Sequence, residues 1–190
     1  DGTAPFACNI PTWGISVAFA VDGIIKDGAI YLPSAGEIYI SYEGESYFSD
    51  KILGSTRYIN LSKIPPPSAN IASGALISIS QDVAKKGRME IENPVQAVCC
   101  SVFSAAGLLR NRYAAFVGTM KLWDIAGAIP ILINRGFKIE TRDGFKVGRE
   151  INPTTCHLNH DDPKMRWRYR SNLIICADKK SIGRIRKAIS

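Results

Sequence analysis

Alternating apolar residues separated by turn dipeptides predict an antiparallel β meander between residues 15 and 48. Asp22-Gly23 is a strong tight-turn dipeptide, and residues 33–36 and Glu43-Gly44 provide two further turns. Residues 3–11, just before the meander, are predicted to form a short helix or turn whose amide ends point at an anion. The strands predicted between the turns are Ile15–Val21, Ile24–Leu32, Glu37–Tyr42 and Ser46–Phe48.

Strand and helix patterns alternate through the rest of the chain. The predicted strands cover residues 74–80, 95–98, 114–122, 137–140 and 173–177. The predicted helices cover residues 81–87, 99–111, 124–135 and 180–189, the first of them alternatively a polar turn. This alternation predicts a three-layer α/β arrangement.

The proline-rich segment Pro65-Pro66-Pro67 marks the predicted domain boundary, together with Gly54-Ser55-Thr56. Neither segment can continue a helix or a central strand. We therefore predict that residues 1–66 belong to a first α+β domain, which contains the meander. Residues 67–190 are predicted to form a second domain, which is the three-layer α/β unit.

A strand-to-helix junction is predicted around Asp124, which falls at the N-cap of the helix over residues 124–135. A carboxylate in such a position either caps the helix or faces a ligand, and capping is the commoner role. Gly136 stands where a left-handed C-cap is expected. Pro130 is expected to bend the helix, because it removes one backbone hydrogen bond.

Composition places the chain among ordinary globular proteins, since 46% of its 190 residues are hydrophobic and 22% are charged. No apolar run approaches the roughly 20 residues that span a bilayer, and no signal segment opens the sequence. The net charge of +7 favours an anionic partner. It does not choose between a phosphate ester, a nucleic acid and an anionic surface.

The cysteines indicate a reducing compartment. There are five of them, an odd number, and no two have CxxC spacing. This pattern predicts free thiols and, by default, a cytoplasmic protein.

Two short stretches together resemble the inositol monophosphatase family of metal-dependent sugar phosphatases. The chain opens with Asp1-Gly2-Thr3, which matches the second half of that family's Asp-Pro-x-Asp-Gly-Thr segment. Residues 123–128, Trp-Asp-Ile-Ala-Gly-Ala, match its later Trp-Asp-x-Ala-Gly/Ala segment. The resemblance extends along nearly the whole chain, and the pair of motifs is much more specific than either motif alone.

The resemblance implies the sugar phosphatase fold and a Mg²⁺-dependent phosphomonoesterase that hydrolyses a small sugar, inositol or nucleotide phosphate. Asp1 and Asp124 are then expected to ligate one Mg²⁺, with their carboxylates within about 6 Å of each other. Thr3 is expected to orient the attacking water through its hydroxyl, so Asp1 and Thr3 are the expected catalytic residues. The amides of Gly2 and Thr3 are expected to hold the phosphate. A homodimer without membrane contact is expected.

In that family, the residues ahead of Asp-Gly-Thr supply a helical layer, a metal-binding Glu and another Asp. None of these is found here, so we expect the chain to be the carboxy-terminal part of a phosphatase. One face of the meander is expected to be covered by the missing amino-terminal segment or by a second chain. The isolated chain is expected to be inactive or nearly so.

Three departures from the family pattern leave the substrate open. Val117 stands where inositol-type members place a Glu that reaches a substrate hydroxyl, which disfavours inositol. Residues 98–100 replace the family's Gly-Thr/Ser-Ala loop, and residues 134–137 replace its Glu-Ala-Gly-Gly. A non-catalytic or degenerate relative that acts as a binding or regulatory protein is therefore the alternative.

Two other segments contain functional residue types. Residues 156–162 include a Cys, two His and two Asp, but they lack the paired spacing of a zinc site and are predicted to form a surface loop. Residues 164–170 alternate basic residues with aromatic or apolar ones, which predicts a strand with one packed and one solvated face. Such a strand could also bind nucleic acid through stacking and charge, the less favoured interpretation.

Overall fold

The computed structural model describes residues 1–50, 52, 60–71 and 74–189. The Gly54-Ser55-Thr56 part of the predicted domain boundary lies outside these residues, and the boundary itself stays a prediction. None of the helices in the described ranges is both long and apolar enough to cross a membrane.

The predicted β meander is confirmed. Five strands pair in chain order, each antiparallel to the next. They are β1 (Ile15–Val21), β2 (Ile24–Leu32), β3 (Glu37–Tyr42), β4 (Glu45–Ser49) and the short β5 (Ser62–Lys63). The turns that join them have the backbone conformation that their sequence predicts, with positive φ at Asp22, Gly23, Glu43 and Gly44.

One face of the meander is apolar and open. β1 is an edge strand, because among the described residues it pairs only with β2. Its side chains at Val17 and Phe19 are 59% and 63% exposed. A shallow cavity of about 340 Å³ lies beside them, bordered by Ile15, Ala29 and Tyr31 among others. Among the residues that the structure describes, no layer covers this face, whereas an apolar sheet surface is normally covered.

The second sheet is mixed and has the strand order β7-β6-β8-β10-β9. Its strands are β6 (Ile77–Ile79), β7 (Val95–Ala97), β8 (Ala115–Gly118), β9 (Lys138–Thr141) and β10 (Leu173–Cys176). β6 runs parallel to both β7 and β8, whereas β10 runs antiparallel to β8 and β9. β6 and β8 are buried on both faces, as their apolar sequences require, whereas the parallel edge strand β7 is exposed.

In the part of the chain that the structure describes, six α-helices connect and cover the sheets. They are α1 (Thr3–Ala7), α2 (Gln81–Lys86), α3 (Ser101–Leu109), α4 (Leu122–Ile125), α5 (Ile129–Asn134) and α6 (Lys179–Ala188). α3 and α5 lie between the two sheets and form the main core with residues of both. α2 and α6 cover the other face of the second sheet and form a separate core with it. The second sheet with its two helical faces is the predicted three-layer α/β unit.

The junction between α4 and α5 packs directly on the meander. A Cβ built on Gly28 of β2 would lie 2.2 Å from the carbonyl oxygen of Gly127, and a Cβ on Gly127 would lie 2.6 Å from Ser16 Oγ. Real Cβ contacts are not this short, so both positions need glycine for the backbones to approach. Gly127 belongs to the Trp-Asp-x-Ala-Gly-Ala stretch, and this contact holds that stretch against the sheet.

The single helix predicted over residues 124–135 is wrong. The chain forms α4, a turn and then α5, with Pro130 at the second position of α5. Proline has no N–H to donate to the carbonyl four residues earlier and its ring clashes with that carbonyl, so it begins a new helix where a bend was expected. The predicted left-handed C-cap is confirmed at Gly136, whose φ is +89°, with Gly136 N–H donating to Ile133 O and Phe137 N–H to Leu132 O.

The strand predicted over residues 164–170 is also wrong. Residues 163–167 form a turn, in which the Met165 and Arg166 N–H groups donate to the carbonyl of Asp162. Trp167 follows with φ +63°, a left-handed conformation that no strand residue adopts. The alternation of basic and aromatic residues therefore does not create two opposite faces, and the nucleic-acid interpretation loses its structural basis.

The five cysteines are all free in the structure, and three are buried: Cys100, Cys156 and Cys176. Burial raises the pKa of the Cys156 thiol to about 11 and that of Cys176 to about 12, so both stay protonated at neutral pH. We expect a thiol reagent to label Cys8 first in the native protein. In denaturant without reductant it should count five thiols, and a count of three or fewer would contradict the assignment to a reducing compartment.

Candidate metal and phosphate site

Asp1 is fixed by three separate segments. Its amino group donates to the Gly14 carbonyl at 2.7 Å, and the Gly14 N–H donates back to the Asp1 carbonyl at 3.0 Å. Its carboxylate accepts the Gly2 N–H at 2.8 Å through Oδ1 and the Val102 N–H at 2.9 Å through Oδ2. The Asp1 carboxylate thus caps the first turn of α3, where backbone donors have no partner within the helix.

The sequence predicts Asp124 to be an N-cap, but in the structure it is the third residue of α4, in the first turn of that helix. The N-cap is Lys121, whose N–H donates to Asp124 Oδ2 at 2.8 Å. Asp124 therefore still caps the helix, but it does so from inside the first turn, where its side chain accepts the N–H of the N-cap residue. Oδ1 has no hydrogen-bond partner among the described residues. One oxygen of this half-buried carboxylate stays available for a ligand.

The electrostatics of this region place Asp1 and Asp124 near each other. Burial raises the pKa of Asp124, and the Lys121 N–H, the amino group of Asp1 and the Lys121 ammonium oppose that shift. Burial likewise raises the pKa of the Cys100 thiol, and the nearby Asp124 carboxylate raises it further. The Phe103 N–H and the Asp1 amino group act in the opposite direction and lower this pKa. Asp1 and Asp124 therefore lie close enough for their charges to interact, beside the N-terminus of α3. Their predicted separation of about 6 Å stays a prediction.

Gly2 and Thr3 begin the short helix α1 next to Asp1. Gly2 is the buried N-cap, with φ +90°, and a Cβ there would lie 2.9 Å from Trp13. Its N–H is already donated to Asp1, so of the two predicted phosphate donors only the Thr3 amide is uncommitted among the described hydrogen bonds. Thr3 is exposed, which leaves its hydroxyl free to contact a ligand or water.

The residues present match the chemistry of a magnesium site in part. Asp1 and Asp124 offer hard carboxylate oxygens of the kind that Mg²⁺ prefers, and Asp124 Oδ1 is unbonded. The neighbouring Cys100 thiol is a soft ligand and does not suit this ion. Across the described ranges, no group of three or more His, Cys, Asp or Glu side chains is arranged to hold a metal. Among the described residues, the candidate site therefore offers two carboxylates.

The departures from the family pattern have structural explanations. Val117 is fully buried in β8 among the residues that contact α2 and α6, on the face of the sheet away from Asp1. Cys100 serves as N-cap of α3, where its sulfur accepts the Phe103 N–H at 3.3 Å. Asn134 holds β4 through a bond from its Nδ2 to the Glu45 carbonyl. These positions serve packing and capping.

A cleft on the other side of Asp124 contains residues that sequence reasoning missed. Lys121 and Arg168 oppose each other in an isolated antiparallel bridge, and Trp123, 53% exposed, lies beside them. The only sequence signal was the set of basic residues at 164–170, and no local pattern linked it to Lys121. The loop over residues 156–162 is indeed irregular, although Cys156 itself is buried.

The comparisons with known proteins identify the family and the fold. The family model described as "Inositol monophosphatase family" matches residues 1–188. The chain belongs to the inositol monophosphatase family. A comparison with curated protein sequences finds no match.

Solved structures show the same fold at low sequence identity. A hypothetical protein from Pyrococcus horikoshii with similarities for inositol-1 monophosphatase superposes with a TM-score of 0.71 at 20% identity, covering 100% of this chain and 67% of the other. Thermotoga maritima IMPase superposes with a TM-score of 0.66 at 17% identity, covering 99% of this chain and 65% of the other. An IMPase/NADP phosphatase complexed with Mg²⁺ and phosphate superposes with a TM-score of 0.66 at 17% identity, covering 99% of this chain and 63% of the other. The chain thus spans about two thirds of the length of these structures.

Proposed function

We propose that this chain contributes the Asp1–Asp124 half of the active site of a Mg²⁺-dependent phosphomonoesterase that hydrolyses a small sugar, inositol or nucleotide phosphate. The observation that carries the proposal is that the Asp1 carboxylate caps α3 and that Asp124 lies near enough to Asp1 for their charges to interact. Family membership and the similarity to a structure complexed with Mg²⁺ and phosphate support it. All five cysteines are free, which supports a cytoplasmic location.

Each residue has a proposed role. Asp1 and Asp124 hold the ion, which when bound supplies an activated water and neutralises charge on the phosphate oxygens. The Thr3 hydroxyl orients the attacking water, and the Thr3 amide donates to a phosphate oxygen, with Gly2 giving the backbone its left-handed turn. The bonds that Asp1 accepts from Gly2 and Val102 fix its carboxylate before any ligand arrives. Inositol itself is disfavoured as the substrate alcohol, because Val117 has no polar group and faces the other core.

A segment with further carboxylates is proposed to complete the site. The open apolar face of β1 and β2 supports this proposal, since a covering layer there would bury side chains such as Val17 and Phe19. The layer would come from an amino-terminal extension or from a second chain, and we propose a homodimer for the complete enzyme. A binding or regulatory protein without catalysis is the second candidate. The observation that favours it is that only two acidic ligands converge among the described residues.

Phosphate release measured with and without that segment tests the proposed function. With Mg²⁺ and a panel of sugar, inositol and nucleotide phosphates, the 190-residue chain alone should turn over at least about 100-fold more slowly than the completed protein, because its two carboxylates cannot activate water well. Chelating the metal should abolish the restored activity. Full activity of the chain alone would show that the metal site is misplaced, and no activity in either form would favour the binding protein.

A further inference from the structure

The cleft beside Asp124 is separate from the proposed phosphate-holding residues. It has a volume of about 360 Å³, enough for a phosphate group and part of a sugar. Asp124 lines it, whereas Asp1, Gly2 and Thr3 do not. The residues around it are Asp82, Thr119, Met120, Lys121, Trp123, Asp124 and Arg168. Asp124 therefore stands between the residues proposed to hold the reacting phosphate and a second compartment.

Two cations face each other across this second compartment. Lys121 and Arg168 are directly opposed in an antiparallel bridge, which puts their side chains on the same side. The Trp167 carbonyl accepts the Leu122 N–H at 2.6 Å and fixes this pairing. Like charges directly opposite each other destabilise a β pair, and an anion held between them offsets that repulsion by Coulomb attraction. The arrangement is thus better suited to binding an anion than to stabilising the fold.

The carboxylates around the cleft do not neutralise both cations. Asp82 pairs with Arg168, with 3.0 Å between Oδ2 and Nη2. Lys121 forms no ion pair with any described carboxylate, and its ammonium lies 4.8 Å from the centroid of the Trp123 ring, which restrains it over the cleft. Asp124 is the proposed metal ligand, so its charge is satisfied when the site is loaded. An excess positive charge then remains at Lys121.

We propose that Lys121 and Arg168 form a subsite for a second anionic group of the substrate, so that the preferred substrate is a small molecule with two phosphate groups. This inference rests on the proposed function, since it places the first phosphate at Asp1, Thr3 and the metal. Lys121 is the specificity-determining residue, because its charge is unpaired. Arg168 contributes less, because Asp82 already engages one of its nitrogens. One face of Trp123 is occupied by Lys121, which leaves that face unavailable for stacking on a nucleotide base.

Calorimetric binding of matched sugar phosphates tests the subsite. The probes are glucose 1,6-bisphosphate, glucose 1-phosphate and glucose 6-phosphate, added to the full chain with Ca²⁺ in place of Mg²⁺ to prevent turnover. The bisphosphate should bind at least about tenfold more tightly than either monophosphate, the effect of a charged hydrogen bond. Lys121→Gln should remove most of this preference, with a much smaller effect on monophosphate affinity. Lys187→Gln on α6 is the matched control and should change nothing.

Asp82→Asn distinguishes a subsite from a merely structural ion pair. Removing this carboxylate frees Arg168, so the bisphosphate should bind several-fold more tightly, whereas Arg168→Gln should weaken it. A structural role would make both variants weaken binding together. Equal affinity for the three probes, or no binding of any of them, would overturn the inference. Preferential binding of the bisphosphate without hydrolysis by the completed protein would instead remove the proposed function and leave the subsite intact.

Discussion

Asp124→Asn is expected to lower Mg²⁺-dependent turnover of the completed protein by about a thousandfold or more. The substitution removes one carboxylate ligand, and the charge stabilisation that a metal provides is worth several kcal/mol, with each 1.4 kcal/mol equal to a tenfold rate change. Mg²⁺ affinity, measured by calorimetry, should fall in parallel. The fold should be retained, because the Asn side-chain oxygen can still accept the Lys121 N–H that Asp124 now accepts at 2.8 Å.

Asp178→Asn is the matched control for this experiment. Asp178 is also a carboxylate at a helix start, where it accepts the Ser181 N–H at 2.8 Å, but it lies at the beginning of α6. Its replacement should leave turnover and Mg²⁺ affinity unchanged and cost at most about 1 kcal/mol of stability. A completed enzyme indifferent to Asp124→Asn would show that the metal is held elsewhere.

Gly28→Ala is expected to cause the largest loss of stability among single methyl additions. The new Cβ would lie 2.2 Å from the Gly127 carbonyl oxygen, a backbone atom that cannot rotate away. Either β2 or the α4–α5 junction must shift, so the free energy of unfolding should fall by about 3 kcal/mol, the upper part of the range for overpacking. Urea denaturation monitored by circular dichroism measures the change.

Gly183→Ala adds the same methyl group where there is room for it. Gly183 lies inside α6, and a Cβ there would meet nothing within 4 Å. Because alanine favours the helix over glycine, this variant should gain about 0.5 to 1 kcal/mol. If Gly28→Ala were no more destabilising than Gly183→Ala, then β2 and the α4–α5 junction would not approach as closely as the structure indicates.

The meander was predictable because its turns are encoded locally. Asp22-Gly23 and Glu43-Gly44 both adopt positive φ, and the apolar, strand-forming segments between the turns form the strands. The break between α4 and α5 was less predictable. Pro130 was visible in the sequence, but whether a proline bends a helix or begins one depends on the packing of the preceding turn, here on the contact of Gly127 with β1 and β2.

Only part of the candidate site could be predicted from the sequence. The residues Asp1 and Asp124 were found through two motifs, but the capping of α3 by Asp1 is a tertiary property that joins distant parts of the sequence. The Lys121–Arg168 pair was missed for the same reason, since the alternation of residues 164–170 predicted a strand. The chain forms a turn there, and Arg168 reaches Lys121 through an isolated bridge that no periodicity encodes.

The exposed β1 strand also determines how this chain will behave at high concentration. Its seven residues, Ile15–Val21, contain no charge and no proline, and its outer edge has backbone groups that no described strand pairs with. Short uncharged segments with high β propensity and an open edge are the ones from which ordered cross-β aggregates grow. The net charge of +7 opposes such growth by mutual repulsion. Since salt screens that repulsion, raising the ionic strength brings the same strand closer to templating a fibril.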